Sequence, residues 1–256
     1  MKVVLLAGGI GSRLSEETYI KPKPLVEIGN MPIIWHIMMI YSHYGFNEFI
    51  ICCGYKGYLI KEYFANYFLH LSDVEIDVSN NSVNILNKKL KKNWKITLVD
   101  TGEQTQTGGR IKKIKKYISD TFLMTYGDGL SNINIVKLLK FHKKNKALAT
   151  MTVVNPPSRF GSVQLRNNLV TKFSEKPVVS NSWINGGFFV LEPKIFDYIK
   201  NANSIWEKEP LQKLSQDRKL NAYLHKDFWQ PMDTLRDRNF LNDLWNSGSA
   251  PWKLWR

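Results

Sequence analysis

Short apolar runs recur along the chain, and segments with a helical spacing of apolar residues separate them. The runs predict strands at residues 2–7, 49–53, 96–100, 122–126, 147–153 and 187–191. The intervening segments predict helices at residues 33–44, 57–68, 110–118, 133–144, 194–199 and 234–245. Strands that alternate with helices need crossover connections, so the pattern predicts an α/β fold. We expect a mixed, mostly parallel sheet with helices on both faces.

The segment at residues 73–92 departs from this alternation. It contains short alternating stretches rich in Asn and Lys, which are typical of an inserted hairpin. No stretch rich in Gly, Pro or Ser divides the chain into two halves. The sequence therefore predicts one domain over residues 1–256, with a hairpin excursion at 73–92.

The charge of the chain adds a question about its partners. The formal net charge is +14, from 36 basic and 22 acidic residues. A polyanion, a small phosphorylated ligand or a lysine-rich surface would each account for it. The lysine runs lie at residues 88–92, 112–116 and 143–146, and isoleucines at helical spacing make the second run the solvated face of a helix. Neither interleaved aromatic residues nor a known reading motif accompanies them, so we expect no nucleic-acid partner.

Two features of the sequence predict a cytoplasmic location. The apolar stretch after Lys2 is too short for a signal peptide, and no apolar run approaches the length of a membrane span. Cys52 and Cys53 are adjacent within an apolar run, which indicates buried free thiols rather than a disulfide framework. We therefore expect no membrane partner.

The first predicted strand runs into a glycine-rich turn at residues 8–13, with the sequence GGIGSR. Such a turn exposes backbone N–H groups and can hold a phosphate closely. Arg13 and the lysines of residues 21–24 (KPKP) add the positive charge that a di- or triphosphate requires. The turn matches neither the P-loop nor the dinucleotide fingerprint, since Leu14 stands at the third glycine position. A tight turn without a ligand is the alternative.

Two isolated aspartates are candidates for a metal site. Asp128 follows the strand at 122–126 between two glycines, and Asp233 immediately precedes the last predicted helix. Ligands of open parallel sheets bind beyond the carboxyl ends of the strands, where the glycine-rich turn also lies. Mg²⁺ takes one or two protein carboxylates together with phosphate oxygens, so the pair fits a magnesium site. An Asx turn at Asp128 and a helix N-cap at Asp233 are the alternatives.

Two further motifs are candidates for sugar-phosphate binding. Lys176 precedes Pro177, which favours an extended conformation for the lysine at a strand end. An exposed surface lysine is the alternative. Asn185 precedes Gly186 and Gly187; paired glycines permit the close approach of a bulky ligand such as a sugar, and the amide can bond its hydroxyls.

In their order along the chain, these motifs resemble the sugar-phosphate nucleotidyltransferases. The matching features are LAGGIGSRL at residues 6–14, KPKP at 21–24, GD at 127–128, FSEKP at 173–177, NGG at 185–187 and the C-terminal Asp233. Residues 51–57, 61–68, 125–129 and 229–236 are similar to glucose-1-phosphate cytidylyltransferases in particular. The resemblance covers essentially the whole chain and implies a Rossmann-like nucleotidyltransferase fold. That family transfers a cytidylyl group from CTP to α-D-glucose 1-phosphate, giving pyrophosphate and CDP-glucose for the synthesis of surface polysaccharides such as O-antigen.

The resemblance also implies roles for particular residues. Catalysis falls to Arg13, on the departing phosphates, and to Lys23, on the α-phosphate; spacing alone leaves Lys21 and Lys23 open. The implied nucleotide-binding residues are Leu6, Ala7, Gly8, Gly9, Ile10, Gly11, Ser12, Arg13, Lys23, Thr101, Gly102, Thr107, Arg110 and Gly127. The implied sugar-phosphate-binding residues are Gly161, Glu175, Lys176, Asn185 and Gly186. Asp128 and Asp233 are the implied ligands of Mg²⁺, the expected cofactor.

Three activities are compatible with the sequence. The first is cytidylyl transfer, with CTP and glucose 1-phosphate as partners and a homo-oligomer as the expected assembly. The second is uridylyl or thymidylyl transfer to a hexose 1-phosphate. The third is a catalytically silent subunit that senses nucleotide sugars. The reaction needs no general base, because the attacking phosphate oxygen is already anionic.

Overall fold

The computed structural model describes residues 1–86, 92–156, 162–174 and 183–255. Its strands are β1 (Lys2–Leu6), β2 (Glu27–Ile28), β3 (Met31–Pro32), β4 (Glu48–Cys53), β5 (Val74–Asp77), β6 (Ser82–Ile85), β7 (Lys95–Asp100), β8 (Phe122–Tyr126), β9 (Gly129–Ser131), β10 (Ala149–Val154), β11 (Ser162–Arg166), β12 (Leu169–Ser174), β13 (Ile184–Leu191), β14 (Leu220–His225) and β15 (Trp229–Pro231). Its α-helices are α1 (Ser15–Thr18), α2 (Ile33–His43), α3 (Gly57–Ala65), α4 (Tyr67–Leu71), α5 (Thr107–Lys113), α6 (Ile135–Asn145), α7 (Glu209–Gln216) and α8 (Leu235–Asn246).

A seven-stranded sheet forms the centre of the described residues, in the order β14-β10-β13-β8-β1-β4-β7. β1 pairs in parallel with both β4 and β8, and β4 pairs in parallel with β7. β13 runs antiparallel to its neighbours β8 and β10, while β10 and β14 are parallel. The prediction of a mixed, mostly parallel sheet is confirmed.

The inner strands are buried because both faces of the sheet are covered. Along β1, Val3 and Leu5 belong to one hydrophobic cluster, which includes residues of α2 and α6. Val4 and Leu6 belong to the cluster on the other face, which includes Ile111 of α5. Successive strand residues point to opposite faces, so a strand between two layers needs a nearly continuous apolar sequence. The sequence KVVLL meets that requirement.

Three predicted helices differ from those observed. The predicted helix at 57–68 is two helices, because the chain leaves helical geometry at Asn66, a residue whose side chain competes with the helix backbone. The predicted helix at 110–118 begins earlier, at Thr107, and ends at Lys113, before a short 3₁₀ turn. The predicted helix at 194–199 is a 3₁₀ helix over Pro193–Tyr198.

Strands at the margins of the fold were harder to predict. β14 lies at the edge of the sheet, and Asn and His interrupt its sequence LNAYLH, so it does not form a continuous apolar run. β5 and β6 form an antiparallel hairpin with Val74 opposite Ile85, within the segment expected to be an excursion. Residues 87–91 of that segment lie outside the described residues, and the single-domain organisation stays a prediction.

The two cysteines are free and buried in β4. Burial raises the pKa of the Cys53 thiol to about 11 and raises that of Cys52 further. Both thiols are therefore protonated at neutral pH and poorly suited to act as nucleophiles. Among the residues that the structure describes, no helix is long and apolar enough to cross a membrane.

Candidate active site

A cavity of about 510 Å³ lies at the carboxyl ends of β1 and β8. Its lining residues are Leu6, Ala7, Gly8, Gly9, Gly11, Ser12, Arg13, Lys23, Pro24, Thr105, Gln106, Thr107, Arg110, Tyr126, Gly127, Asp128, Asn185, Glu207, Trp229, Pro231 and Asp233. The volume is in the range of small-molecule and cofactor sites. The cavity therefore brings together most of the site residues that the sequence analysis had placed at separate strand ends.

Two basic and two acidic side chains in the cavity form what we call the charged cluster: Arg13, Lys23, Asp128 and Asp233. Lys23 Nζ donates to Asp128 Oδ2 and to Asp233 Oδ1, each at 2.8 Å. Arg13 Nη1 donates to the other oxygen of Asp233 at 2.6 Å. Two carboxylates separated by 105 residues of sequence thus face one ammonium group.

The Lys23 ammonium group is buried, with only 8% of its side chain exposed. Burial alone would lower the pKa of Lys23, but the charges and hydrogen bonds of Asp128 and Asp233 outweigh it and raise that pKa above its usual value. Lys23 is therefore a cation throughout the neutral range. Lys21, in contrast, pairs with Glu27 outside the cavity, so the geometry favours Lys23 as the lysine of the site.

The two prolines of the KPKP run explain why Lys23 points inward. Pro22 is extended, and Pro24 lies in the first turn of a 3₁₀ helix over Lys23–Leu25. The backbone N–H of Leu25 donates to the carbonyl of Pro22 at 2.8 Å, which closes the turn. Leu25 is buried in the core and anchors this turn. Lys23 is held at the cavity by the local sequence.

Asp233 is not the N-cap of the last helix, so that alternative is wrong. The N-cap of α8 is Thr234, whose side chain accepts from the backbone N–H of Asp237 in a capping box. The carboxylate of Asp233 is directed to the charged cluster instead. A backbone bond from the N–H of Met232 to the carbonyl of Asp128, at 2.8 Å, holds the two aspartate-bearing segments together.

Two glycines of the glycine-rich turn are explained by the protein itself, one by a neighbouring side chain and one by its backbone conformation. A Cβ atom at Gly8 would collide with the guanidinium group of Arg110. Gly11 has a φ of 72°, in the left-handed region that favours glycine. Gly9 has no atom within 4 Å of its Cβ position and lines the cavity. Ile10 is exposed and does not line it.

Arg110 forms the centre of a network that we call the Arg110 knot. Its guanidinium group donates to the carbonyls of Cys53, Gly8, Gly102 and Glu103 and to the hydroxyl of Thr101, at 2.7–3.3 Å. Burial lowers the pKa of Arg110 from its usual value. Thr101 and Gly102 belong to this knot and are not among the residues that line the cavity. Their binding roles, and that of Arg110, stay predictions.

A second network inside the cavity, here called the polar chain, consists of Asn185, Tyr126, Glu207 and Thr107. Asn185 Nδ2 donates to Tyr126 Oη at 3.1 Å, and Tyr126 Oη donates to Glu207 Oε1 at 2.6 Å. Thr107 Oγ1 donates to Glu207 Oε2 at 2.6 Å. Neither Tyr126 nor Glu207 is among the site residues expected from the sequence. The position of Tyr126 beside Gly127 and Asp128 could have indicated it, whereas no pattern in the sequence marks Glu207.

The paired glycines near Asn185 are explained by packing within the protein. A Cβ atom at Gly186 would contact the side chain of Val154, and one at Gly187 would contact the ring of Tyr126. Gly186 lies beside the cavity, where its carbonyl accepts from Trp229 Nε1 at 2.7 Å. Gly186 as a sugar ligand stays a prediction, and Gly161, Glu175 and Lys176 lie outside the described residues.

Asp128 and Asp233 are suitable donors for a divalent cation. Each has an oxygen within hydrogen-bond distance of the same Lys23 nitrogen, so the two carboxylates face a common point. Within the described ranges, no group of three or more His, Cys, Asp or Glu side chains could hold a metal. Two carboxylates suit Mg²⁺, which completes its shell with water and substrate phosphate oxygens.

A family comparison agrees with this geometry. The model of the nucleotidyl transferase family matches residues 2–237. The chain belongs to the nucleotidyl transferase family. The sequence-based resemblance is thereby confirmed, and the strand ends that form the cavity all lie within the matched residues.

Similar proteins extend the comparison. The chain is 53% identical to glucose-1-phosphate cytidylyltransferase of Salmonella typhimurium, with 100% of both chains covered. It is 47% identical to a probable glucose-1-phosphate cytidylyltransferase of Bacillus subtilis, again over 100% of both. The crystal structure of HddC from Yersinia pseudotuberculosis matches with a TM-score of 0.69 and 23% identity, covering 95% of this chain and 99% of HddC. That last likeness shows the fold.

Proposed function

We propose that this protein transfers the cytidylyl group of CTP to α-D-glucose 1-phosphate, with release of pyrophosphate and formation of CDP-glucose. The observation that carries the proposal is the charged cluster beside the glycine-rich turn. Lys23 and Arg13 bring two cations to a cavity that also contains two candidate metal ligands. The full-length similarity to glucose-1-phosphate cytidylyltransferases supports this choice of nucleotide and sugar.

The proposed reaction is an in-line displacement at the α-phosphorus of CTP. A phosphate oxygen of glucose 1-phosphate forms the new O–P bond, and the bond from the α-phosphorus to the pyrophosphate oxygen breaks. No proton has to move, because the attacking oxygen is already anionic. The protein therefore has to hold two anions together and to stabilise the charge that passes to pyrophosphate.

We assign these tasks to residues of the cavity. The Lys23 ammonium group would donate to oxygens of the α-phosphate as the bond forms. The side chain of Arg13, which is 70% exposed, would reach the departing phosphates. The backbone of the glycine-rich turn would line the nucleotide. Asp128 and Asp233 would hold Mg²⁺, which when bound would neutralise phosphate charge.

Intact catalytic groups favour an enzyme over a silent subunit. Arg13, Lys23, Asp128 and Asp233 are all present and lie within one cluster. A uridylyl- or thymidylyltransferase would use the same cluster, so only the nucleotide specificity separates it from the first proposal. We further propose a cytoplasmic homo-oligomer with no nucleic-acid or membrane partner.

The test is an assay of pyrophosphate release from CTP, UTP, dTTP and GTP, each with glucose 1-phosphate and Mg²⁺. We expect release with CTP, formation of CDP-glucose, and loss of activity after removal of divalent cations by a chelator. Equal release from UTP would reject the cytidylyl assignment and leave the reaction class intact. No release from any nucleotide would favour the silent subunit.

A further inference from the structure

Glu207 is an unexpected residue for a cavity that is proposed to bind phosphates. Its carboxylate lines the cavity and is exposed to solvent. A carboxylate repels phosphate, and the two candidate metal ligands already lie in the charged cluster. The polar chain gives Glu207 a different setting, because its two oxygens accept from hydroxyl groups.

The position of Glu207 is built into the fold. The preceding residue, Trp206, is fully buried and its ring contacts Phe189 in the core. The backbone N–H of Trp206 donates to Thr107 Oγ1 at 2.9 Å, and the same hydroxyl donates to Glu207. The burial of Trp206 therefore fixes the backbone at Glu207. Thr107 orients the carboxylate of Glu207, and the Thr107 hydroxyl is itself held by the backbone N–H of Trp206.

The segment before Trp206 packs closely on the start of α5. The N–H groups of Gln106 and Gly109 donate to the carbonyls of Ala202 and Ser204, at 3.0 and 3.1 Å. A Cβ atom at Gly109 would collide with the Ala202 carbonyl, which explains a glycine in the first turn of the helix. These N–H groups are used within the protein, so this helix start does not present them to a phosphate.

Glu207 retains unused capacity to accept hydrogen bonds. Each carboxylate oxygen can accept two, and one on each oxygen is taken by Tyr126 or Thr107. Burial and the neighbouring Glu207 raise the pKa of Tyr126, so the phenol remains a donor to the carboxylate. The remaining acceptor positions suit hydroxyl donors, which are neutral and which both substrates of the proposed reaction carry on their sugar rings.

We propose that Glu207 is a specificity residue that accepts hydrogen bonds from hydroxyl groups of a sugar ring bound in the cavity. The proposal rests on the proposed function for the identity of the two sugars. The ring is either the ribose of the nucleotide or the hexose of the sugar phosphate. The chemistry of recognition is the same in both cases, and substrate analogues that lack one hydroxyl distinguish them.

The test is a cycle that combines Glu207→Gln with single-hydroxyl analogues. kcat/KM is measured for wild type and variant with CTP, 2′-deoxy-CTP and 3′-deoxy-CTP, and with glucose 1-phosphate and its 2-, 3-, 4- and 6-deoxy analogues. Glutamine keeps a neutral amide oxygen as an acceptor but removes the charge, and weakening a charge-assisted hydrogen bond in this way corresponds to about a 10-fold decrease. We expect Glu207→Gln to lose that factor relative to wild type with the full substrates and to show no such loss relative to wild type with the one analogue that lacks the recognised hydroxyl.

Two controls separate recognition from structure. Glu209→Gln makes the same change two residues away, where the carboxylate pairs with Lys200 and Lys213 at the surface, and should behave as wild type. Glu207→Asp retains the charge but withdraws it by one methylene, and should resemble Glu207→Gln. Thermal melting of each variant checks that it folds, and the Mg²⁺ requirement should not change, because Glu207 lies outside the charged cluster.

The outcomes are distinct. Non-additivity with a deoxy-CTP assigns Glu207 to the ribose, and non-additivity with a deoxyglucose 1-phosphate assigns it to the hexose. The proposal is overturned if Glu207→Gln has the kcat/KM of wild type, or if its loss relative to wild type is the same with every analogue as with the full substrates. If wild type releases no pyrophosphate from CTP and glucose 1-phosphate, the proposed function fails, and the cycle is repeated as equilibrium binding of the same compounds. Absence of binding, or binding that is indifferent to every hydroxyl, then overturns the role of Glu207 as well.

Discussion

Lys23 and Arg110 line the same cavity, yet the protein holds these two cations in different ways. Lys23 contacts the carboxylates of Asp128 and Asp233. Arg110 donates to backbone carbonyls and a hydroxyl that come from the ends of β1, β4 and β7. A bound phosphate can replace the carboxylate partners of Lys23, and a metal ion can bind to them. The partners of Arg110 are backbone and hydroxyl oxygens of the strand ends and the loops that follow them.

The hydrogen-bond partners of a cation indicate whether it binds a ligand or positions segments of the protein. Lys23 and Arg110 are both basic and both line the cavity, so neither property distinguishes them. A cation that neutralises carboxylates is arranged for charged ligands, while a guanidinium group that satisfies backbone oxygens holds loops in place. Substitutions at the charged cluster should therefore affect the rate, and substitutions at the Arg110 knot should affect stability and nucleotide affinity.

The largest effect is expected for Asp233→Asn. The substitution keeps the shape of the side chain but removes one of two carboxylates from the charged cluster. We expect kcat to fall by about 10³-fold, because both the proposed metal site and the placement of Lys23 depend on that charge. The Mg²⁺ concentration needed for CTP binding should rise, which titration calorimetry can measure.

The matched control for this variant is Asp243→Asn, on the exposed face of α8. It should retain wild-type kcat and Mg²⁺ dependence. An active Asp233→Asn enzyme with normal Mg²⁺ dependence would contradict the shared metal site and leave Asp128 as the sole carboxylate ligand of the cluster.

A smaller loss is expected for Lys23→Ala. Charge changes around the α-phosphorus only as the new bond forms, so Lys23 should stabilise the transition state more than bound CTP. We expect kcat to fall by about 10²- to 10³-fold with a much smaller change in the Kd of CTP. Steady-state kinetics and equilibrium binding measure the two quantities separately.

Lys21→Ala is the control, since Lys21 makes an ion pair with Glu27 away from the cavity. Exposed ion pairs contribute little to stability, so this variant should be nearly neutral. A larger loss of kcat for Lys21→Ala than for Lys23→Ala would contradict the assignment of the catalytic lysine.

The parts of the fold that could be predicted from sequence are those with a local signal. β1 and β8 are buried on both faces, so each needs a nearly continuous apolar run. The carboxyl ends of such strands meet at one edge of a parallel sheet, which is why the glycine-rich turn and Asp128 could be placed together. β14 escaped prediction because an edge strand needs no apolar run.

The parts of the site that could not be predicted depend on contacts between distant segments. Glu207 reaches the cavity because Trp206 is buried and because Thr107, 100 residues earlier, orients its carboxylate. Gly186 and Gly187 suggested room for a ligand, whereas the fold shows that Val154 and Tyr126 occupy the space of the missing side chains. Neither contact leaves a periodic or compositional pattern in the sequence.

The smallest effect on the rate, and the largest on stability, is expected for Arg110→Met. The change removes the five hydrogen bonds of the Arg110 side chain from the knot. The carbonyls of Gly8 and Cys53 keep the backbone N–H donors of Tyr55 and Thr101, and we expect the free energy of unfolding to fall by about 2–4 kcal/mol. Because the Gly8 carbonyl keeps only the backbone N–H of Tyr55 as a donor, the glycine-rich turn should be held less firmly and bind CTP more weakly, with KM raised about tenfold and kcat within a few-fold of wild type. Urea denaturation and steady-state kinetics measure these quantities.

Arg110→Lys decides between positioning and direct contact with phosphate. Lysine keeps the positive charge but lacks the planar fork that satisfies four carbonyls and a hydroxyl at once. If Arg110 acts through the knot, Arg110→Lys should recover little of the stability or CTP affinity that Arg110→Met loses. If Arg110 acts through its charge on a bound phosphate, the lysine should recover most of the affinity while the stability stays low. That second result would place Arg110 with Lys23 among the binding cations and remove the distinction drawn between them.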